Sequence, residues 1–180
     1  MASYEELRSI RIEKLKKLES FGMDPYPAKV PRDFSLAHVK TNFVELEKQG
    51  KEISVAGRIM AIRGQGAILF AVLFDGTEKF QAVLKKDSMS AELFALFGDA
   101  VDMGDFISVT GKLFVTQRGE PSIEVQSWVI ATKTLSPLPD KWHGIQDTDE
   151  RYRKRYLDIL MNSELKDLLL KKAKFWDVIR

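Results

Sequence analysis

Five short apolar-rich runs lie between residues 52 and 134, most of them with apolar residues at every second position, and this pattern restricts the fold more than any other feature. Glycine, aspartate and other turn-forming residues bound the runs, which is typical of strands and not of helices. The runs are 53–63, 67–74, 79–86, 106–115 and 122–132. Short turns join the first three, so the sequence predicts an antiparallel meander and two later strands.

One helical segment interrupts these strands. Residues 90–97 carry apolar side chains at helical spacing, and we expect Gly98 to end the helix. Three strands, a helix and two strands are the element order of the OB-fold, a five-stranded Greek-key barrel that binds oligonucleotides or oligosaccharides. The sequence therefore predicts a mainly β protein with flanking helices (α+β), with the barrel at residues 51–135.

An N-terminal extension, residues 1–50, precedes the predicted barrel. Ser3 and Glu6 form a capping-box pattern at the start of an amphipathic helix over 3–21. Prolines make the next segment an extended connector, and a short helix over 36–49 follows it. One face of the first helix is basic, and its side chains either contact a phosphate backbone or are only solvated. The candidates for phosphate contact are Arg8, Arg11 and Lys14.

The segment after the barrel is predicted to be a linker, residues 136–161. Its basic run at 151–155 is interpreted, on charge alone, as a solvated turn. Asn162 or Ser163 then caps a final helix over 162–180. The apolar side chains of that helix lie on one stripe, formed by Leu165, Leu168, Leu169, Trp176 and Ile179. No helix-ending signal appears before the last residue, so we expect the sequence to be part of a larger protein.

The residue types present exclude several kinds of chemistry. The sequence contains no cysteine, and its two histidines, His38 and His143, lack the spacing of a metal site or a catalytic dyad. No phosphate-binding glycine loop, nucleophile elbow or pair of carboxylates on one face occurs. We therefore expect neither a metal site nor covalent catalysis.

The N-terminus and the charge balance suggest where and how the chain works. Acids and bases alternate where a signal peptide needs an apolar stretch, and no apolar run of about 18 residues occurs, so we expect a cytoplasmic protein that binds no membrane. The formal net charge is +2, and the barrel segment carries nine basic and ten acidic residues. Because nonspecific single-strand binders carry a positive groove, we expect stacking and base-edge contacts instead.

Four residues of the predicted barrel suit such contacts. Phe70 offers a stacking surface for a base. Arg63, Gln81 and Glu120 supply a donor fork, an amide and a carboxylate for a Watson–Crick edge. Each also has a structural interpretation, with Phe70 as core filler, the arginine and glutamine as surface residues, and the glutamate as part of a turn. The residues alone leave both interpretations open.

Three segments carry a resemblance to a known family. They are LSPLPDKWHGIQDTDERYRKRYLDIL at 135–160, VAGRIMAIRGQGAILFAVLFD at 55–75 and GKLFVTQRGEPSIEV at 111–125. Together they resemble the N-terminal part of bacterial class II lysyl-tRNA synthetases, over essentially the whole chain. The resemblance implies a barrel that binds the uridine-rich anticodon of tRNA-Lys, with Phe70 stacked on the central uridine. It also implies that Arg63 and Gln81 contact that base and that Glu120 lies beside it.

The resemblance implies further properties outside the barrel. The helix at 162–180 resembles the first class II motif, which forms the dimer interface of a homodimeric parent that uses ATP and Mg²⁺ to join lysine to its tRNA. The second and third motifs, which hold ATP and Mg²⁺, have no counterpart in the sequence, so we expect these residues alone to be inactive and without a cofactor. Two other interpretations remain open, a freestanding OB module for single-stranded nucleic acid and a non-catalytic interaction domain.

Overall fold

The computed structural model describes residues 3–139, 145 and 147–180, and it divides into two compact units, Met1–Pro137 and Leu138–Arg180. The helices of the first unit are α1 (Tyr4–Ser20), α2 (Leu36–Thr41), α3 (Phe43–Gln49) and α4 (Ala91–Ala100). Its strands are β1 (Ile53–Gln65), β2 (Ile68–Phe74), β3 (Lys79–Lys85), β4 (Phe106–Val115) and β5 (Pro121–Thr132). The helices of the second unit are α5 (Thr148–Arg153), α6 (Arg155–Met161) and α7 (Ser163–Ile179).

The five strands close into a barrel in the order β1-β2-β3-β5-β4, and β4 pairs again with β1. Strands β3 and β5 run parallel, whereas the other neighbouring pairs are antiparallel. This arrangement is the Greek-key barrel of the OB-fold, so the predicted fold is confirmed. The predicted strands agree with the observed ones to within two residues at each end.

Alternation along the strands places the core inside the barrel. The side chains with no exposed surface include Ile59, Leu73, Leu84, Ile107 and Ile123, one from each strand. Helix α4 packs its apolar face against this core, where the Phe97 and Trp128 rings meet edge to face at 5.3 Å. The indole Nε1 of Trp128 donates to the Leu93 carbonyl at 3.1 Å, so its buried N–H has a partner.

Strands β4 and β5 approach each other closely at Gly111. A Cβ at this position would lie 1.9 Å from the carbonyl oxygen of Glu124, so only glycine fits. The strand register also shifts between Thr110 and Gly111, as expected where a strand bends at a barrel corner. The absence of a side chain at this position therefore allows the barrel to close.

Two predicted helix limits are wrong. The helix expected over 36–49 is two helices, because Asn42 leaves helical geometry and its side-chain Nδ2 donates to the His38 carbonyl at 3.0 Å. Helix α4 continues through Gly98 to Ala100. Glycine costs about 1 kcal/mol in a helix, and the burial of Ala100 beyond it offsets that cost.

Helix α1 starts at the predicted capping box, in which Ser3 and Glu6 exchange hydrogen bonds. Its amphipathic character is weaker than predicted, since the apolar residues of its first half are exposed and Leu18 near its end is fully buried. Arg11 fixes the middle of the helix by donating to the carbonyls of Met103 and Thr134 at 3.0 and 3.1 Å. The helix is therefore held to the barrel by polar contacts as well as by apolar burial.

A buried ionic cluster, the Lys133 cluster, joins α1, the end of α4 and the end of β5. The Lys133 side chain has no exposed surface, and its Nζ donates to Asp102 and Asp105 at 2.7 Å each and to the Ala100 carbonyl at 2.8 Å. Lys14 from α1 also pairs with Asp102. Burial raises the pKa of Asp102, but hydrogen bonds from the two lysines outweigh it and hold the pKa below its ordinary value.

The second unit is helical where the sequence predicts a linker. The basic run predicted as a solvated turn lies in α5, α6 and the residue between them. Asp158 is buried in this unit and accepts from Arg155 Nη1 at 2.8 Å and from Arg151 Nε at 3.3 Å. The prediction of a solvated turn was wrong because Arg151 and Arg155 both donate to the buried carboxylate of Asp158, which the charge pattern does not reveal. Asn162 caps α7, its side chain accepting from the Leu165 N–H, as predicted.

Within the described ranges, the structure contains no helix that is both long enough and apolar enough to span a membrane.

Candidate nucleic-acid interface

The outer face of β1, β2 and β3 brings three of the four predicted barrel residues together. Arg63 on β1 lies directly opposite Phe70 on β2, so their side chains project on the same side of the sheet. In the next cross-strand row, Val72 of β2 lies opposite Gln81 of β3, and Gln81 lies opposite Ser122 of β5. The pairing register therefore places an aromatic ring beside a guanidinium and an amide on one surface.

The Phe70 side chain is partly exposed, unlike its inward-facing neighbour Ala71, which has no exposed surface. This difference favours the stacking interpretation over core filler, because the ring lies on the outer side of the barrel. A base stacked on this ring would have Arg63 next to it across the strand pair.

A chain of hydrogen bonds links the polar residues of this face. Arg63 Nη2 donates to Gln81 Oε1 in a long contact of 3.4 Å, and Gln81 Nε2 donates to Ser122 Oγ at 2.9 Å. The Ser122 hydroxyl in turn donates to the carbonyl oxygen of Glu120 at 3.1 Å. The Gln81 amide therefore has a partner at each end, and the guanidinium of Arg63 contacts it while remaining exposed.

Glu120 lies at the end of the β4–β5 hairpin with its side chain exposed. Its backbone is fixed, because its N–H donates to Thr116 Oγ1 and its carbonyl accepts from the Thr116 N–H, both at 3.0 Å. Gly119 provides the positive φ of 79° that this turn requires. The backbone of the hairpin is therefore fixed at Glu120, two residues before Ser122, and the Glu120 carboxylate is left exposed.

A second group of side chains continues the outer face across β3, β4 and β5. Lys85 Nζ lies 5.0 Å from the centre of the Phe114 ring and 2.8 Å from Glu124 Oε1. Hydrogen bonds from Lys85 and Ser88 lower the pKa of Glu124 below its ordinary value, so this carboxylate is charged at neutral pH. This ion pair neutralises the charge of Lys85, which agrees with the small formal net charge of the barrel segment.

The three basic residues predicted for phosphate contact have different surroundings. Arg8 is exposed on α1. Arg11 donates to two backbone carbonyls, and Lys14 pairs with Asp102, so both side chains contribute to holding α1 against the barrel. A contact with phosphate stays a prediction for the three residues, and Arg8 is the one whose side chain lies in solvent.

The five residues predicted for a dimer interface lie on α7, which buries none of its side chains. Leu168, Trp176 and Ile179 are 49%, 58% and 59% exposed. Other apolar side chains of the helix, including Leu170 and Phe175, are exposed as well.

Of the two histidines, His38 is exposed and stacks on Phe34, with ring centroids 4.8 Å apart, and His143 lies outside the described residues. In the part of the chain that the structure describes, no three acidic or histidine side chains gather to hold a metal ion.

Sequence reasoning missed Ser122 and the group around Lys85. Alternation along the chain cannot show that Ser122 lies on the same face as Gln81, because this depends on the pairing of β3 with β5. That pairing is parallel and joins residues about 40 positions apart in the sequence. Phe114 and Lys85 likewise meet although their strands, β4 and β3, are not neighbours in the barrel. A pattern search along the chain has no signal for such contacts.

Comparison with known proteins agrees with this geometry. A family model described as an OB-fold nucleic acid binding domain matches residues 53–131, which extend from the start of β1 almost to the end of β5. A lysine–tRNA ligase of Clostridium perfringens (strain SM101) is 45% identical over 176 residues, 97% of this chain and 34% of that protein. The ligase of Moorella thermoacetica is 39% identical over 175 residues, 97% of this chain and 35% of its own length.

A third relative, the lysine–tRNA ligase of Roseiflexus sp. (strain RS-1), is 38% identical over 97% of this chain and 36% of its own length. The chain thus spans about a third of the length of the curated relatives it matches. These findings confirm the resemblance drawn from the three sequence segments. Residues 53–131 therefore form an OB-fold barrel that matches the family of OB-fold nucleic acid binding domains, in a chain that is similar along almost its whole length to lysine–tRNA ligases.

Proposed function

We propose that the barrel binds the anticodon of a lysine tRNA and that the outer face of β1, β2 and β3 holds its central uridine. The observation that carries the proposal is the placement of Phe70 beside the hydrogen-bonded pair Arg63 and Gln81. A ring next to donors and acceptors suits a single unpaired base, which needs a stacking surface and partners for its edge. The homology to lysine–tRNA ligases supports the choice of tRNA.

The chemistry of uridine fits the side chains on this face. Its Watson–Crick edge presents two carbonyl acceptors on either side of one N–H donor. Gln81 supplies both a donor and an acceptor, Arg63 supplies donors, and Glu120 supplies an acceptor at the neighbouring hairpin. The small net charge of the barrel agrees with recognition through base contacts, with phosphate attraction supplied by residues such as Arg8 on α1.

The proposal for the whole protein follows from the relatives. It would be a cytoplasmic lysine–tRNA ligase of translation that uses ATP and Mg²⁺ and acts as a homodimer, with the apolar side chains of α7 in the interface. The sequence has no counterpart of the second and third class II motifs, so we assign no residue of this chain to ATP or Mg²⁺. We therefore derive no catalytic step from this chain. Sedimentation of the whole protein with Leu168→Glu on α7 tests the dimer, since a charge in the interface would shift the protein to monomers.

Titration of the chain with anticodon stem-loops tests the binding proposal. Four loops of the lysine anticodon sequence, which differ only in the central base, are added to the chain at fixed salt, and binding is followed by fluorescence anisotropy. We expect the uridine loop to bind most tightly. Equal affinity for all four loops would contradict the proposal and would favour a general binder of single strands.

A further inference from the structure

We infer that Ser122 is a positioning residue that fixes the orientation of the Gln81 amide and thereby makes this face distinguish uridine from cytidine. The inference rests on the proposed function, because it concerns how the anticodon site selects its central base. Ser122 has no exposed surface, so it acts through Gln81 and not by touching the base itself.

The hydrogen-bond chain allows one orientation of the amide. A backbone carbonyl can only accept, so the single hydroxyl hydrogen of Ser122 is used at the Glu120 carbonyl, 3.1 Å away. The Ser122 oxygen must then accept, and the Gln81 group that faces it at 2.9 Å must be the NH₂ end. At the other end of the amide, Arg63 can only donate, so it requires the oxygen of Gln81. Both neighbours therefore demand the same orientation independently.

Reversal of the amide would be costly at both ends. The Gln81 oxygen would face the Ser122 oxygen, and the hydroxyl would have to leave the Glu120 carbonyl in order to donate to it. The NH₂ group would meanwhile face the guanidinium of Arg63, which places donors against donors. Because Ser122 is fully buried, water cannot readily replace the lost hydrogen bond.

The orientation matters because uridine and cytidine have opposite edges. At the adjacent positions N3 and C4, uridine presents a donor and an acceptor, whereas cytidine presents an acceptor and a donor. A primary amide can pair with either edge, but only by reversing its oxygen and its NH₂ group. The two anchors each use one hydrogen-bonding position of the amide, which leaves one hydrogen and one acceptor site for the base. An amide that cannot reverse therefore prefers one pyrimidine.

Substitution of Ser122 tests this role in the whole chain. Ser122→Ala removes the anchor, and we expect the ratio of affinities for the uridine and cytidine loops to fall about tenfold, the scale of one good base-edge contact. Ser122→Thr keeps the hydroxyl and should restore the ratio. Ser127→Ala, at an exposed serine of the same strand, is the matched control and should leave the ratio unchanged.

A double substitution separates positioning from a general structural effect. In a Gln81→Ala background, Ser122→Ala should leave the uridine-to-cytidine ratio unchanged, because the amide that it orients is already absent. If Ser122→Ala does not fold, as judged by its thermal unfolding, Ser122→Cys keeps the volume and weakens the hydrogen bond, and it should lower the ratio in the same direction.

The outcomes distinguish this inference from the proposed function. A wild-type chain without preference for uridine would refute the proposed function and, with it, the role of Ser122. A wild-type chain that prefers uridine, together with a Ser122→Ala chain of the same ratio, would refute the positioning role alone. A fall in the ratio that persists in the Gln81→Ala background would also refute it.

Discussion

Replacement of Lys133 by methionine should destabilise the first unit strongly, although the position lies far from the proposed interface. Methionine has a similar length but removes the ammonium that three acceptors share. Removal of one partner of a buried ion pair costs about 3–5 kcal/mol, because the remaining charge stays buried. The pair in question is Lys133 and Asp105, whose side chains both have no exposed surface.

The structure places the expected loss at the lower end of that range. Without Lys133, the Asp105 carboxylate still accepts from the N–H of Asp102 at 2.8 Å and from the N–H and hydroxyl of Thr134 at 2.9 and 2.6 Å. Asp102 keeps its pairing with Lys14. We therefore expect a loss of about 3 kcal/mol in the free energy of unfolding, or about 10 °C in Tm.

Urea titration followed by circular dichroism measures this loss. Lys112→Met on β4, which removes an exposed lysine, is the control for the change in net charge and should alter the free energy of unfolding by less than about 0.5 kcal/mol. Equal losses in the two variants would refute the argument that the buried cluster stabilises the fold.

The pH dependence gives the same experiment a second readout. The pKa of Asp102 is lowered in the folded protein, so its contribution to stability is present above the ordinary value of 3.8 and is lost as the pH falls through the folded value. Lys133→Met removes the hydrogen bond that contributes most to this lowering, so the stability gap between wild type and variant should narrow below about pH 4. A gap that stays constant down to pH 2 would contradict this assignment.

The remaining predictions concern the barrel and α1. Phe70→Ala should weaken binding of the uridine and cytidine loops alike by about 1–3 kcal/mol, and an unchanged affinity in the anisotropy titration would exclude stacking on this ring. Glu120→Ala should instead reduce the difference in affinity between the uridine and cytidine loops, and an equal loss of affinity for both loops would make Glu120 a positioning contact only. Gly111→Ala should cost about 1–3 kcal/mol in urea unfolding because of its clash with β5, and wild-type stability would refute the close approach. Arg8→Ala should reduce the slope of log K against log salt concentration by about 0.7–0.9, whereas Arg11→Ala should chiefly lower Tm. The opposite pattern would mean that Arg11 contacts phosphate and that Arg8 stabilises the fold.

Much of the barrel is predictable from the sequence because its signals are local. Alternation and turn residues define the strands, and the order of elements identifies the OB-fold before any contact is known. The two wrong helix limits arise where tertiary structure decides. Gly98 stays helical because Ala100 beyond it is buried, and Asn42 interrupts a helix through its own side chain.

The polar contacts are beyond local reasoning. Nothing in the sequence around Lys133 distinguishes it from a lysine on the surface, and only the folded chain brings Asp102 and Asp105 to it. Arg11 and Lys14 form an apparently solvated face on α1, yet both contact the barrel. Ser122 meets Gln81 only through the parallel β3–β5 pairing. In each case the partners are distant in sequence, and no periodic pattern encodes them.

Photo-crosslinking tests most directly whether the outer face of β1, β2 and β3 holds the central anticodon base. A lysine anticodon stem-loop with 4-thiouridine at the central position is irradiated with the chain, and the attached tryptic peptide is identified by mass spectrometry. Cleavage after Arg63 and Lys79 gives the peptide 64–79, which contains Phe70. We predict that this peptide, or the adjoining one with Gln81, carries the nucleotide. Attachment confined to α1 or to residues 162–180 would contradict the account.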